Sequence, residues 1–363
     1  MVDDPDILPN AVRVFTTRAP TPAGTPVAGT EKEKPEAKAA PKQRRREAPI
    51  EVLVFDIETR TMLGHRVMFL VWHLYSDPFD STPCTTLVEA GIAFADSLPV
   101  LDPAGFAVLH EEAHAATSAA PAGFSRLGGG GLRFEPISWW LDARLYRYAY
   151  KHRRQCTLVG FNLPFDLGGL CAYECPAERD WRGGWSLGFW GEYREPEGWI
   201  DQDFRPRLLL DALDPRRTRL AWSSVSKEQT FQGTGMFVDL RTLVFALTDR
   251  STSLESACEL FGVSLAGQDD VFSKRQVEHG VISAALITYA LEDVAATAEL
   301  YRACLAELAL HAGVELAAHQ LFSPASVGTG YLRAFGVPRP LLQHTPLTND
   351  QISRRWPRKE PPS

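Results

Sequence analysis

Acidic residues stand at three separated positions, in patterns that suit metal-assisted hydrolysis. Asp56 and Glu58 are two apart, directly after the apolar run Val-Leu-Val-Phe. Side chains two apart in a strand lie on the same face, so both carboxylates would project together. A solvated strand end is the ordinary explanation for such a pair, but a charge beside a buried strand is costly unless it is compensated. The pair therefore predicts a cation site where the first strand ends.

The second acid, Asp166, ends the sequence Leu-Val-Gly-Phe-Asn-Leu-Pro-Phe-Asp. Asn162 is a favoured helix N-cap and Pro164 is tolerated in a first helical turn, so a strand should lead here into a helix. Asp166 would then project from the opening turn of that helix. A negative side chain there also suits the helix dipole, which explains Asp166 without any chemistry. Both explanations stay open at this point.

The third element is the pair Tyr289 and Asp293, four apart in a segment with helical spacing. Residues four apart share one face of a helix, so the phenol and the carboxylate would point the same way. A buried tyrosine is ordinarily a core residue, and a lone acid is ordinarily a surface residue. The meaning of this pair therefore depends on the other two motifs.

The elements that must position these residues follow from the hydrophobic pattern. Strands are predicted over residues 50–55, 66–75, 85–94 and 157–161, with a hairpin formed by 207–212 and 217–222. Helices are predicted over residues 137–150, 238–247, 253–261 and 281–310, the last either continuous or broken near its middle. Strands first, then alternating strands and helices, predict an α/β fold in which helices cover a sheet.

Domain organisation follows from composition. Residues 1–48 are rich in Pro, Ala, Thr, Lys and Glu and lack an apolar period, so they are predicted to form a disordered tail. An ordered domain should span residues 49–312, followed by a C-terminal helical extension and tail over 313–363. Residues 111–132 are interpreted as a mobile loop, and the nearby His110 and His114 are assigned no role.

Composition limits the partners and the compartment. The hydrophobic fraction of 45% is sufficient for a buried core, and the net charge of −7 gives no overall attraction to nucleic acid. Any such binding must depend on local basic patches or on metal bridges to phosphate. Six cysteines without a secretory leader indicate reduced thiols and a cytoplasmic location. No membrane contact is expected, because no uncharged apolar run approaches the roughly 20 residues that a spanning helix needs.

Taken in chain order, the three acidic motifs resemble those of the DEDD superfamily of 3′→5′ exonucleases, and Tyr289 selects the tyrosine subtype. The segment from Asn162 to Asp166 is especially similar to its counterpart in protein-primed family B DNA polymerases. The resemblance implies a ribonuclease H-like mixed sheet flanked by helices, with an inserted β-hairpin. It also implies hydrolysis at the 3′ end of nucleic acid, with single-stranded DNA favoured over RNA. A separate polymerase, or another replication or repair protein, is a partner consistent with it.

The resemblance also implies residue roles. Two divalent cations, Mg²⁺ or Mn²⁺, would be held by Asp56, Glu58, Asp166 and Asp293, with Asp56 bridging both. Tyr289 would orient the attacking water. These five residues are the expected catalytic set.

Other residues match positions that contact the single-stranded 3′ end: Thr59, Asn162, Phe165, Ser253, Leu254 and Lys274. Each has an ordinary alternative as a strand-end polar residue, a helix cap, a core residue or a solvated lysine. Arginines around the hairpin fit either phosphate contacts or a solvent-facing strand: Arg205, Arg207, Arg216, Arg217 and Arg219. Two other functions stay open, a catalytically inactive nucleic-acid-binding or partner-docking module and a 3′→5′ exoribonuclease.

Overall fold

The computed structural model describes residues 51–61, 66–76, 86–118, 132–151, 156–178, 181–223, 235–263, 278–311 and 313–337. The predicted tail over 1–48, residues 119–131 of the predicted loop, Lys274 and residues 338–363 lie outside this part of the chain.

The strands of the described residues form a six-stranded, a four-stranded and a two-stranded sheet. In chain order they are β1 (Glu51–Thr59), β2 (Val67–Ser76), β3 (Thr86–Phe94), β4 (Arg133–Pro136), β5 (Cys156–Gly160), β6 (Tyr173–Pro176), β7 (Trp185–Gly188), β8 (Gly191–Arg194), β9 (Gly198–Asp201), β10 (Leu208–Asp214), β11 (Arg217–Trp222) and β12 (Met236–Asp239).

The α-helices of the described residues are α1 (Leu98–Leu101), α2 (Pro103–Ser118), α3 (Ile137–Trp140), α4 (Leu163–Leu170), α5 (Leu240–Thr248), α6 (Leu254–Phe261), α7 (Ala284–Ala309) and α8 (Pro324–Ala334). A π-helix over Leu141–Lys151 continues α3, and a 3-10 turn over Ala318–Gln320 precedes α8. None of the helices in the described ranges is both long and apolar enough to cross a membrane.

The six-stranded sheet has the order β12-β5-β1-β2-β3-β4. β1, β2 and β3 pair antiparallel, whereas β5 runs parallel to β1 and β12 runs parallel to β5. β4 joins the far edge parallel to β3. The sheet is therefore mixed and flanked by helices, which confirms the α/β architecture predicted from the sequence.

β1 lies in the interior of this sheet and is buried on both faces, as its apolar sequence requires. Val52 and Val54 belong to the core cluster on the side of α7. Leu53, Phe55 and Ile57 belong to the second cluster, which contains residues of α4 and of the π-helix. Because side chains alternate along a strand, the even-numbered residues of β1 lie on the face that α7 covers.

The hairpin predicted from the sequence is confirmed as β10 and β11, and β7 and β6 extend it to a four-stranded sheet. Its apolar side joins the second cluster through Leu208, Leu210 and Trp222. The Trp222 indole donates to the Ala149 carbonyl of the π-helix at 2.9 Å. The small sheet is thus packed against one face of the large sheet.

The predicted mobile loop over 111–132 is wrong for its first part, because residues 111–118 complete α2. Helix α2 buries Leu109 and Ala113 in the cluster on the α7 side. Its alanine-rich sequence gives only a weak apolar period, which explains why the pattern did not reveal a helix.

Two other predicted helices differ in detail. Residues 236–239 form the edge strand β12, so the helix predicted from residue 238 begins at Leu240. A continuous apolar run of this length does not distinguish a strand from a buried helix. Residues 281–310, predicted as a helix either continuous or broken near its middle, contain α7, which is continuous over the 26 residues Ala284–Ala309.

Candidate carboxylate site

Asp56 and Glu58 lie near the end of β1, on the face that α7 covers. Asp56 is half-buried and Glu58 is buried. Nδ1 of His279 lies 4.0 Å from Oε2 of Glu58. The predicted placement of both carboxylates on one face is confirmed by the alternation of β1.

Asp166 projects from the first turns of α4 and is only 2% exposed. The backbone N–H of Ile57 donates to its carboxylate, while Oδ2 is buried with no hydrogen-bond partner among the described residues. Burial raises the pKa of Asp166 well above its usual range, and the negative charges of Asp56, Asp239 and Glu58 raise it further. The strand and the helix therefore bring the first two acidic motifs together.

Tyr289 and Asp293 face the same region from α7, and both are buried. The Tyr289 hydroxyl forms a hydrogen bond with the Asp293 carboxylate. Burial raises the pKa of Tyr289, and the charges of Asp293, Glu58 and Asp56 add to the effect. All five predicted catalytic residues are thus brought into one neighbourhood by three elements that lie far apart in sequence.

Asp239 is a further buried acid at this site, which sequence reasoning missed. It ends β12 and accepts hydrogen bonds from the Asn162 backbone N–H at 2.8 Å and from the Thr242 hydroxyl at 2.7 Å. Burial raises the pKa of Asp239, while these hydrogen bonds oppose the increase. Its sequence signal, an acid that ends the apolar run Met-Phe-Val, resembles the signal at Asp56.

His279 is the second residue that the sequence did not reveal. Its ring meets that of Tyr289 edge-on, with centroids 5.6 Å apart and planes at 88°. Together with its approach to Glu58, this places an imidazole at the border between the carboxylates and solvent. His279 belongs to no acidic motif, so spacing alone offered no signal.

Asn162 lies in the turn between β5 and α4, as predicted, but its side chain does not cap the helix. Its side chain makes no capping hydrogen bond to α4 in the described structure. Its backbone is left-handed, with φ of 73°, a conformation that Asn tolerates better than most residues. The hydrogen bond from the Asn162 backbone N–H to the Asp239 carboxylate stabilises this conformation. The side-chain Oδ1 of Asn162 accepts a hydrogen bond from Nη1 of Arg241 at 3.4 Å.

The predicted substrate-binding residues fall into different environments. Phe165 is 47% exposed beside the buried Asp166, so the alternative of a core aromatic is wrong. Thr59 is half-buried at the irregular end of the β1–β2 pairing. Ser253 caps α6 through a reciprocal bond pattern with Ser256, and Leu254 is a core residue. These last two positions thus fit their ordinary alternatives.

The arginines around the hairpin are engaged with neighbouring acids and rings. Four pair with carboxylates at 2.7–3.2 Å: Arg205 with Asp142, Arg207 with Asp201, Arg217 with Asp214, and Arg219 with Asp211. Arg216 lies over the Phe245 ring at 4.5 Å. The local basic charge is therefore largely balanced within the fold.

Comparison with family models and with curated proteins gives no assignment. No family model matches the chain, and no curated protein matches it. The functional assignment therefore depends on the chemistry of the site itself.

Within the described ranges, no three His, Cys, Asp or Glu side chains form a preassembled coordination shell. The donor set nevertheless fits divalent cations. Like-charged carboxylates are close enough to disfavour one another's ionisation, and an oxygen of buried Asp166 lacks a hydrogen-bond partner among the described residues. A cation would compensate both features, and all-oxygen ligands favour Mg²⁺ or Mn²⁺.

Proposed function

We propose that this chain is a metal-dependent 3′→5′ exonuclease with a ribonuclease H-like sheet, of the tyrosine subtype of the DEDD superfamily. The observation that carries the proposal is buried Asp166, whose carboxylate is crowded by Asp56 and Glu58. The charges of the same two acids also act on the hydrogen-bonded Tyr289–Asp293 pair. The topology also supports it, since three antiparallel strands are followed by two strands that run parallel to the first.

Crowded carboxylates have a physical cost that a catalytic cation would offset. Each acid of the cluster would be more stable alone or beside a positive charge, so the native state favours a bound cation or proton here. Asp56, Glu58, Asp166 and Asp293 would hold divalent cations. When bound, such cations activate water and neutralise the charge of the leaving oxygen in phosphodiester hydrolysis.

Tyr289 has the properties of a hydrogen-bonding residue in this reaction. Because its pKa is raised, the phenol stays protonated at neutral pH and keeps an O–H group. Asp293 fixes the orientation of that group from the next turn of α7. The role we assign to Tyr289 is to position the attacking water.

Phe165 and the overall charge indicate how the substrate is held. An exposed ring beside the buried acid is suited to stacking on the terminal base of a single strand. The net charge is −7 and the hairpin arginines are paired, so a broad electrostatic surface is not the basis of this binding. We therefore propose that recognition is confined to a short 3′ end. The preference for DNA over RNA depends on the resemblance to family B DNA polymerases.

The test is cleavage of a 5′-labelled single-stranded DNA by the full chain in Mg²⁺, in Mn²⁺ and in EDTA. Asp56→Asn and Asp293→Asn are compared with Asp249→Asn, a matched change at the exposed C-terminal cap of α5. We expect a ladder that shortens from the 3′ end in wild type and in Asp249→Asn, and intact substrate in EDTA and in both site variants.

A matched RNA strand, run in parallel, decides between the deoxyribonuclease and exoribonuclease assignments. If the folded chain binds DNA but cuts neither polymer with either metal, the proposal is wrong. The chain would then be a non-catalytic binding module.

A further inference from the structure

Two exposed histidines on α2 bring their ring nitrogens together. Nε2 of His110 lies 3.1 Å from Nε2 of His114, one helical turn away. The ring centroids are 4.4 Å apart and the planes are inclined at 61°. Both nitrogens therefore approach a common point outside the helix.

The separation of the two nitrogens matches that of two ligands on one transition-metal ion. With Zn–N bonds of about 2.0–2.1 Å, two nitrogens lie ~2.9 Å apart at a right angle and ~3.3 Å apart at the tetrahedral angle. The observed distance lies between these values. A hydrogen bond between the two rings, with the proton on one of the two nitrogens, would give the same distance.

The surroundings hold this arrangement in place. The His110 ring meets Phe134 of β4 edge-on at 5.3 Å and lies 6.3 Å from the Phe106 ring. Leu109 and Ala113 of the same helix are buried in the core. The first ligand is thus oriented before any ion binds, which lowers the entropy lost on binding.

The sequence of this turn is His110-Glu111-Glu112-Ala113-His114. It fits the pattern His-Glu-x-x-His, in which two histidines on one helical face hold zinc and the intervening glutamate acts on the bound water. A four-residue spacing is weak evidence alone. Here the distance between the nitrogens gives independent support.

We propose that His110 and His114 form a zinc site on α2, with water completing the coordination. Imidazole ligands favour Zn²⁺, Ni²⁺ and Cu²⁺, whereas carboxylate oxygens favour Mg²⁺ and Mn²⁺. The chain would then hold two classes of cation in two places. The proposal is independent of the exonuclease assignment, because it uses none of the residues of the carboxylate site.

The test is calorimetric titration of the full chain with Zn²⁺, and separately with Ni²⁺, in a large excess of Mg²⁺ that competes at the carboxylates. Wild type is compared with His110→Ala and His114→Ala, and with His319→Ala as a matched histidine control outside α2. Alanine is the strongest helix former, so these exposed substitutions should leave α2 folded, and circular dichroism verifies this.

We expect wild type and His319→Ala to bind one Zn²⁺ with the same affinity. Each α2 variant should bind at least about tenfold more weakly, as expected when one of two ligands is lost. Equal Zn²⁺ binding by wild type and the folded α2 variants, or no Zn²⁺ binding by wild type, would overturn the proposal.

Discussion

The site at the end of β1 and the small four-stranded sheet differ in how their charged side chains are arranged. At the end of β1, carboxylates are gathered from β1, α4, α7 and β12. Burial raises the pKa of Asp166, and the charges of Asp56, Asp239 and Glu58 raise it further. On the small sheet, the pairs Arg217–Asp214 and Arg219–Asp211 join each cation to an acid three or eight residues away. Uncompensated like charges oppose folding, whereas local pairs of opposite charge are neutral or mildly stabilising.

This contrast indicates different roles for the charged residues of the two regions. Under the proposed function, a substitution that relieved the repulsion among these carboxylates would also remove the activity, which accounts for the presence of the cluster. Paired arginines on a sheet need no such explanation. The comparison therefore predicts that mutations in the first region will affect catalysis and that mutations of paired charges will affect stability.

The largest effect is expected for Asp56→Asn. It removes a proposed cation ligand while keeping the shape of the side chain, so the loss of several kcal/mol of transition-state stabilisation should lower kcat at least about a thousandfold. The thermal unfolding midpoint should not fall. Single-turnover cleavage of DNA and a thermal melt measure the two effects, and a variant that unfolds without losing activity would reverse the assignment.

The second-largest effect is expected for Arg144→Ala, which removes a buried charge that is paired with acids. Arg144 of the π-helix is 7% exposed, lies 3.2 Å from Glu89 and 3.5 Å from Glu135, and covers the Trp72 ring at 4.6 Å. Glu89 would keep its pair with Arg133 at 3.3 Å, but Arg144→Ala would leave buried Glu135 without its ion-pair partner. The substitution should therefore lower the free energy of unfolding by about 3–5 kcal/mol.

Chemical denaturation measures the effect of Arg144→Ala. Arg147→Ala is the control, because Arg147 is an exposed residue of the same π-helix. Equal stability losses in the two variants would contradict a role for buried pairing.

Asp166→Asn should abolish cleavage and raise the stability of the fold at neutral pH. A carboxyl whose folded pKa is raised contributes stability below its unfolded pKa, and that contribution is lost as pH rises through the folded pKa. Without divalent cations, the wild type should therefore lose stability from mildly acidic to neutral pH through this group. The neutral amide should remove that component and raise the melting temperature at neutral pH, while cleavage is abolished.

Melts in EDTA across this pH range test the prediction. Asp249→Asn serves as the exposed control, which should keep the pH dependence of wild type. A lower melting temperature for Asp166→Asn than for wild type at neutral pH would show that the charge of Asp166 is compensated in the free protein.

The smallest effect is expected for Arg219→Ala on the small sheet. Arg219 pairs with Asp211 at 3.2 Å and lies 3.9 Å from the Trp181 ring, so its loss should cost about 1 kcal/mol or less. The dependence of DNA affinity on salt should match that of wild type. A slope shallower by about 0.7 would instead indicate a phosphate contact on a single strand.

The elements predicted correctly from the sequence are those with one clear local pattern. Alternation and apolar runs identified β1, β2, β3 and β5, and a turn between two apolar segments identified the β10–β11 hairpin. The grouping of the five acidic-motif residues was predicted because Asp56 and Glu58 end a strand, Asp166 follows a strand–helix junction, and Tyr289 and Asp293 share a helix face.

The missed parts were decided by tertiary packing. β12 has four residues, too few for its period to differ from the start of the helix that follows, so Asp239 went unrecognised. Helix α2 buries small residues such as Ala113, and its apolar pattern is weak as a result. His279 meets Glu58 and Tyr289 only through the path of the chain in space, which spacing does not encode.

The most direct test of the carboxylate site uses DNA with a single phosphorothioate of defined configuration at the 3′-terminal linkage. Sulfur binds Mg²⁺ poorly and Mn²⁺ better, so an atom that contacts the catalytic cation reveals itself by a metal-dependent rate. If the carboxylates hold cations against the scissile phosphate, one isomer should be cleaved slowly in Mg²⁺ and recover its rate in Mn²⁺. Two isomers cleaved at the rate of the natural linkage in Mg²⁺, or a slow isomer that Mn²⁺ does not restore, would contradict the account.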